Sequence, residues 1–375
     1  MAATLIARRI GRPPIGRRRV LLILLALVVV TVAIPLVTSA YTTNLMGLFV
    51  PLIILAIAID LLWGENHIVS FGHGAFFTVG GYLGGLVLLG RTGDVVNQTT
   101  DFLGAAGEPS MSAQVLTALN GVQLAGIPFL GLLLAPLVCG IAGTLIGFLA
   151  FRIGSPEVYV PLVTLGIGVI AALALNDVQA LGGSNGLGGV PSYTANTSFG
   201  VNGPYFFGVA MVVVVYAGYW AFRRSRHGTA WRATGDDPVR MEALGHHVHR
   251  TRALGFGASA ALAGLSGAVY VGASGYVGPA NAGVTFSTQA LIWVAVGGVG
   301  TLLGPLVGVM FVKWGEHILS SVLGLADSWQ LFLGLTLVLV VIVAPRGITG
   351  LPGQVRAALR GRGRGSPVST EPASP

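Results

Sequence analysis

Apolar runs of about 17 to 25 residues, the length that crosses a bilayer core as a helix, recur between Val20 and Ala344 of this chain. Lipid then replaces water around most of the surface, and every backbone N–H and C=O in the lipid needs a partner inside the protein. Helices meet that need within one segment. A closed barrel would instead show short strands alternating apolar and polar residues, whereas these runs are continuous. Composition agrees, with 53% hydrophobic and 9% charged residues and a mean hydropathy of +0.80, far less charge than a soluble surface carries. The expected fold class is all-α, a polytopic transmembrane helical bundle. The single cysteine, Cys139, excludes an intrachain disulfide and reads as a small apolar residue within a span.

The basic residues orient the bundle. Of 21, six precede Val20, seven lie from Arg223 to Arg252 and five from Arg346 to Arg364. The positive-inside rule puts these three patches, and both termini, in the cytoplasm. No patch is interleaved with aromatic stacking residues, so the net charge of +8 is a topology signal and excludes nucleic acid as a partner.

Candidate spans run over Val20–Thr38, Asn44–Trp63, Phe71–Gly90, Ile127–Phe151, Val158–Val178, Pro204–Phe222, Ala253–Tyr276, Ser287–Gly297, Leu302–Ser321 and Trp329–Ala344. The first is too long for the apolar core of a signal peptide and reads as an uncleaved span. The eighth is too short to cross alone. Eight to ten spans fit, and ten, with a break at Gly297-Gly298-Val299-Gly300-Thr301, keeps both termini on one side. The longest polar connections, 91–126 and 180–203, then lie outside and carry only Arg91. Three regions follow: a basic cytoplasmic N-terminus at 1–19, a transmembrane domain at 20–346 with a cytoplasmic loop at 223–252, and a basic tail at 347–375. The tail's Arg, Gly, Ser and Pro content reads as disorder, with arginines placed to touch anionic membrane lipid.

Charges inside the spans are scarce. Asp60, Glu157 and Asp177 fall near predicted span ends and read as interfacial carboxylates in contact with water, since a charge at mid-membrane is costly. No ionisable group is evident near mid-bilayer, which disfavours proton or sodium coupling; an ion-coupled secondary carrier working without an ATPase is the alternative reading. The only lysine, Lys313, precedes Trp314, so the chain has no Walker A loop and any ATP hydrolysis belongs to another chain. The spans hold no paired carboxylates, metal-spaced histidines or nucleophile motif, so no catalytic residue, cofactor or metal is expected and the chain does not read as an enzyme. His246, His247 and His249 would fall on different faces of a helix.

In the basic loop, Asp237 suits a helix N-cap, Pro238 the first position and Gly245 a left-handed stop, predicting a short helix over Pro238–Leu244. Two turns are marginal without a surface to pack on. Val239, Ala243 and Leu244 would form its apolar side, with Arg232, Arg240 and Glu242 supplying charge contacts. An ordinary solvated loop would show the same basic charge.

The run Ala233, Asp236, Asp237, Ala243-Leu244-Gly245, continuing through Phe256, Ser259-Ala260, Ala263-Gly264, Gly267-Ala268 and Tyr270, resembles the cytoplasmic loop of the permeases for branched-chain amino acids and urea in ABC importers. Ser70-Phe71-Gly72-His73-Gly74-Ala75-Phe76-Phe77 with Gly80-Gly81-Tyr82 resembles the family's early glycine-rich motif. Tyr159–Leu165 resembles its fifth-span entry, and Gly182-Gly183-Ser184-Asn185-Gly186-Leu187 its external loop. Gly297 to Leu302 with Gly304-Pro305 resembles its late glycine turn, and Pro345-Arg346-Gly347-Ile348 its C-terminal end.

The resemblance implies a multi-pass subunit in the cell membrane of a prokaryote, paired with a second related permease, docked on two ABC ATPase subunits and served by an extracytoplasmic substrate-binding protein. It implies an ATPase-coupling segment of Asp236, Asp237, Pro238, Val239, Arg240, Glu242, Ala243, Leu244 and Gly245. His73, Gln289, Gly297 and Gly298 are the pathway or gating candidates. Gln289 stands where relatives usually show glutamate, and Pro156-Glu157 where a glycine is common. The glycines also suit close helix packing, and His73 equally suits a hydrogen-bonded structural role. Branched-chain amino acids and urea or short amides are both compatible with these features.

Overall fold

The computed structural model describes residues 35, 38–89, 129–152, 156–194, 200–322, 324, 329–343 and 347–350. The expected span at 20–38 lies almost wholly outside them, as do the connection at 91–126 and the tail beyond 350. Eleven α-helices are described: α1 Ala40–Asn66, α2 His73–Leu89, α3 Leu130–Ala150, α4 Pro156–Asp177, α5 Gly203–Arg224, α6 Arg226–Asp236, α7 Pro238–Ala243, α8 Val248–Ser274, α9 Val284–Gly297, α10 Gly304–His317 and α11 Trp329–Val343. Helices α1, α3, α5, α8 and the Tyr159–Asp177 part of α4 are long and apolar enough to cross a membrane, and α2, α9 and Trp329–Val340 are shorter apolar helices. The protein is an all-α, multi-pass membrane protein.

Helix α1 is the axis of the bundle. It is apolar on every side, which marks a helix enclosed by protein, and Leu52 to Leu62 are buried without interruption. Helix α8 packs on α1, α2 and α3. Small residues make that approach possible. A Cβ on Gly80 would collide with the Gly264 backbone, one on Gly267 with the Phe77 carbonyl, and one on Gly143 with Ala260, the close packing that small residues permit between membrane helices. The outward faces of α3, α4 and α11 expose Leu133, Ile141, Leu162, Ile170, Leu335 and Ile342, side chains suited to lipid.

Two ends of the bundle are distinguishable. At the basic end, the last turn of α1 meets α6. At the opposite end, β1 (Leu187–Gly188) pairs antiparallel with β2 (Tyr276–Val277). Beyond β2 the chain turns inward through a 3₁₀ turn at Pro279–Ala282 before α9 begins. Gly74, at the start of α2, lies against the Asn281 carbonyl and the Ser287 hydroxyl, so this irregular backbone runs inside the bundle. Such backbone is tolerated at membrane depth when packed on protein. The 14 residues of α9 cover about 21 Å, less than a bilayer core of about 30 Å.

The expected break is present. Helix α9 stops at Gly297 and α10 starts at Gly304, with Gly298 at φ 118° and Gly300 at φ 71°, a region that favours glycine. The C-terminal return at 347–350 braces it: Thr349 donates its hydroxyl to the Gly297 carbonyl at 2.8 Å, and Gly347 lies on Gly298. Helix α10 runs antiparallel to α1, with Asp60 beside Gly300, Phe49 beside Trp314 and Tyr41 beside His317.

Candidate functional site

The basic loop is built from local capping chemistry. The Ser225 hydroxyl accepts the Gly228 N–H at 3.0 Å and starts α6, and Asp237 Oδ1 accepts the Arg240 N–H at 3.0 Å and starts α7. Gly245, at φ 84°, donates its N–H to the Glu242 carbonyl and ends the helix. The expected capped helix therefore forms, one residue shorter, with Leu244 as its C-cap. Val239 and Leu244 are 75% and 69% exposed, and Arg240, Glu242 and Ala243 are also exposed. Met241, which sequence reasoning left unassigned, is buried and anchors α7. Asp236 reaches His67 at 3.4 Å, an exposed pair of little energetic weight.

Helix α6 is fixed to α1. Trp231 donates its indole N–H to the Leu61 carbonyl at 3.2 Å, and the Asn66 amide donates to the Trp231 carbonyl at 2.7 Å. Gly235 sits on the Asn66 backbone, and Arg252 of α8 donates to the Thr234 carbonyl at 3.2 Å.

Beneath this contact lies a charge network that sequence reasoning missed. The buried Glu65 carboxylate lies 2.8 Å from Arg223 and 3.4 Å from Arg232. Asp60 accepts the Tyr219 hydroxyl at 2.9 Å and the Gly300 N–H at 2.6 Å. Both guanidinium groups therefore face the Glu65 carboxylate, the pairing that a buried charge requires. The expectation that Asp60 touches water is corrected: its residue is fully enclosed, held by a tyrosine and a backbone amide from distant parts of the chain. Arg232, expected to face a partner, turns inward to Glu65 and to the Arg223 carbonyl at 2.7 Å.

The pathway candidates fall in separate places. His73 is enclosed, with Nδ1 3.0 Å from Ser70 Oγ and Nε2 2.6 Å from Ser259 Oγ. Ser259 gives its proton to the Ala58 carbonyl at 2.6 Å, so it must accept from His73 Nε2–H. Gln289 is half-buried on α9, spaced to share a face with Phe286 and Trp293. Gly297 and Gly298 form the break itself. Helix α10 also carries an ion pair that sequence reasoning left unassigned, Lys313 Nζ to Glu316 Oε2 at 2.8 Å.

The family model described as the permease component of branched-chain amino acid transport systems matches residues 41–341. The chain belongs to this family. It is similar to the high-affinity branched-chain amino acid transport system permease protein LivM of Escherichia coli K12, 26% identical over 354 residues that cover 87% of this chain and 74% of LivM. It is also similar to the autoinducer 2 import system permease protein LsrC of Enterobacter sp. 638, 29% identical over 61% of this chain and 64% of that protein. The branched-chain permease LivH of Salmonella typhimurium is 31% identical over 35% of this chain and 42% of LivH. No solved structure matches the chain. This is a permease subunit of an ABC importer and not an enzyme, and the matched residues contain the capped α7, the network around Glu65 and the glycine break.

Proposed function

We propose that this permease forms part of the translocation pathway for branched-chain amino acids across a prokaryotic cell membrane, with both termini and the 223–252 loop in the cytoplasm. In this reading it pairs with a second related permease, two ATPase subunits act on α7 and its counterpart, and a binding protein delivers substrate from the other side. Similarity to LivM and LivH supports amino acids over urea or short amides.

The observation that carries the coupling role is the two-sided construction of α7. Val239 and Leu244 face outward while Met241 anchors the helix and α6 is hydrogen-bonded to α1. A short helix held this way transmits a push without absorbing it. Closure of the ATPase pair would move α6 and the end of α1 together, and the Asp60 to Gly300 hydrogen bond would pass that movement to the hinge between α9 and α10.

The test is co-purification and ATPase assay with the permease and ATPase subunits encoded beside this chain, comparing the native loop with Glu242→Arg plus Ala243→Asp. The expected result is an assembled native complex and a double variant that stays in the membrane without its ATPase. Undiminished ATPase association by the variant would remove α7 from the interface.

A further inference from the structure

Between α3 and α8 an open groove of about 540 Å³ runs along the outside of the bundle. Leu137, Ile141, Leu145 and Phe148 line it from α3, and Ala258 and Ala261 from α8. Its floor offers no free polar group, because Thr144 gives its hydroxyl proton to the Gly140 carbonyl at 2.8 Å. Leu137 to Phe148 is about 17 Å of helix, close to the depth of one leaflet in a hydrocarbon core of about 30 Å.

Charge gathers at one end of this groove. The two helices run antiparallel, with Gly140 against Ala261 and Gly147 against Ala253, so the same register brings Arg152, just past the end of α3, level with the first turn of α8. There His249 meets the Phe148 ring edge-on at a centroid spacing of 6.3 Å. Arg250 shares a face with Leu254, Ala258 and Ala261, at i, i+4, i+8 and i+11. Arg152 and Arg250 are exposed, and among the described residues neither is in an ion pair. Helix α8 begins there without a side-chain cap, and the N–H groups and dipole of such a terminus favour an anion.

We propose that this groove binds an anionic phospholipid of the membrane, with an acyl chain laid between α3 and α8 and the phosphate held by Arg152, Arg250 and the start of α8. Basic side chains grouped at a membrane surface attract acidic head groups. A helix of a neighbouring protein would also suit the small residues of the groove, but it would leave both guanidinium groups without an anion. A phospholipid carries its acidic group at one end of an apolar chain, which matches the two parts of the site together.

The experiment uses the full-length chain, purified in detergent with its accompanying subunits and equilibrated with equal amounts of phosphatidylglycerol and phosphatidylcholine. Mass spectrometry counts the lipid retained. The native protein should keep phosphatidylglycerol in preference to phosphatidylcholine. Arg152→Gln plus Arg250→Gln, both at exposed positions, should lower that preference about tenfold or more at an unchanged thermal midpoint, whereas Arg152→Lys plus Arg250→Lys, which keeps the charge, should preserve it. Ala258→Leu, also at an exposed position, fills the groove and should expel the lipid. Equal retention of the two lipids by the native protein, native preference in the glutamine variant, or lost preference in the lysine variant would overturn the proposal. So would an Ala258→Leu protein that keeps its lipid and sheds a subunit, which would give the groove to a partner helix. None of these readouts involves ATP hydrolysis, so the importer reading is tested separately.

Discussion

Asp60 and Gly300 stand 240 residues apart in sequence and are joined by a 2.6 Å hydrogen bond from the Gly300 N–H to the Asp60 carboxylate. The bond places a buried carboxyl group of α1 on the break between α9 and α10, next to the Glu65 network that holds the basic loop. One end of the bundle therefore has a continuous polar connection from α6 to the hinge, enclosed by apolar packing.

Glu65→Ala would leave Arg223 and Arg232 facing each other without their carboxylate. A broken buried pair costs about 3 to 5 kcal/mol; because both arginines are partly exposed, about 2 kcal/mol is expected after solvent screening. Thermal unfolding of the detergent-solubilised complex measures this, and an unchanged midpoint would show that the network bears no load.

Met241→Ala and Val239→Asp should separate stability from docking. The first empties a buried site and should cost about 2 kcal/mol. The second changes a 75% exposed residue, so the midpoint should hold while ATPase association is lost. Equal effects on stability from both would contradict the two-sided description of α7.

Gly80→Val should prevent accumulation of folded protein, because a side chain there enters the Gly264 backbone and overpacking of a dense contact costs about 1 to 3 kcal/mol or more. Gly166, with open space around it, should accept alanine without loss. Membrane levels of the two variants, compared by quantitative blotting, decide the matter.

His73→Phe would leave the Ser70 and Ser259 hydroxyls without their ring partner. A buried group left unsatisfied costs about 1 to 3 kcal/mol, so the variant should unfold at lower temperature and lose transport in proportion to folded protein. Lost transport at full stability would make His73 a gate.

What the sequence made legible follows the range of each interaction. Helix α7 could be read because Asp237, Pro238 and Gly245 act on their own neighbours, and the break could be read because Gly298 and Gly300 mark backbone that other residues avoid. Glu65 and Arg223 could not, since neither carries a local sign of a partner more than 150 residues away. Asp60 was misplaced for the same reason: a carboxylate near a span end looks interfacial until Tyr219 and Gly300 are seen to enclose it. Lys313 and Glu316 were the avoidable miss, a charged pair at i, i+3 inside an apolar run. The inward path of 276–283 leaves little periodic trace, because irregular backbone has no repeat.

Uptake of labelled leucine into proteoliposomes holding the assembled complex, with ATP or with an imposed proton or sodium gradient, is the decisive measurement. Uptake should require ATP, the ATPase subunits and loaded binding protein, and should disappear in the Val239→Asp complex. Gradient-driven uptake by this chain alone, unaffected by Val239→Asp, would contradict the importer reading.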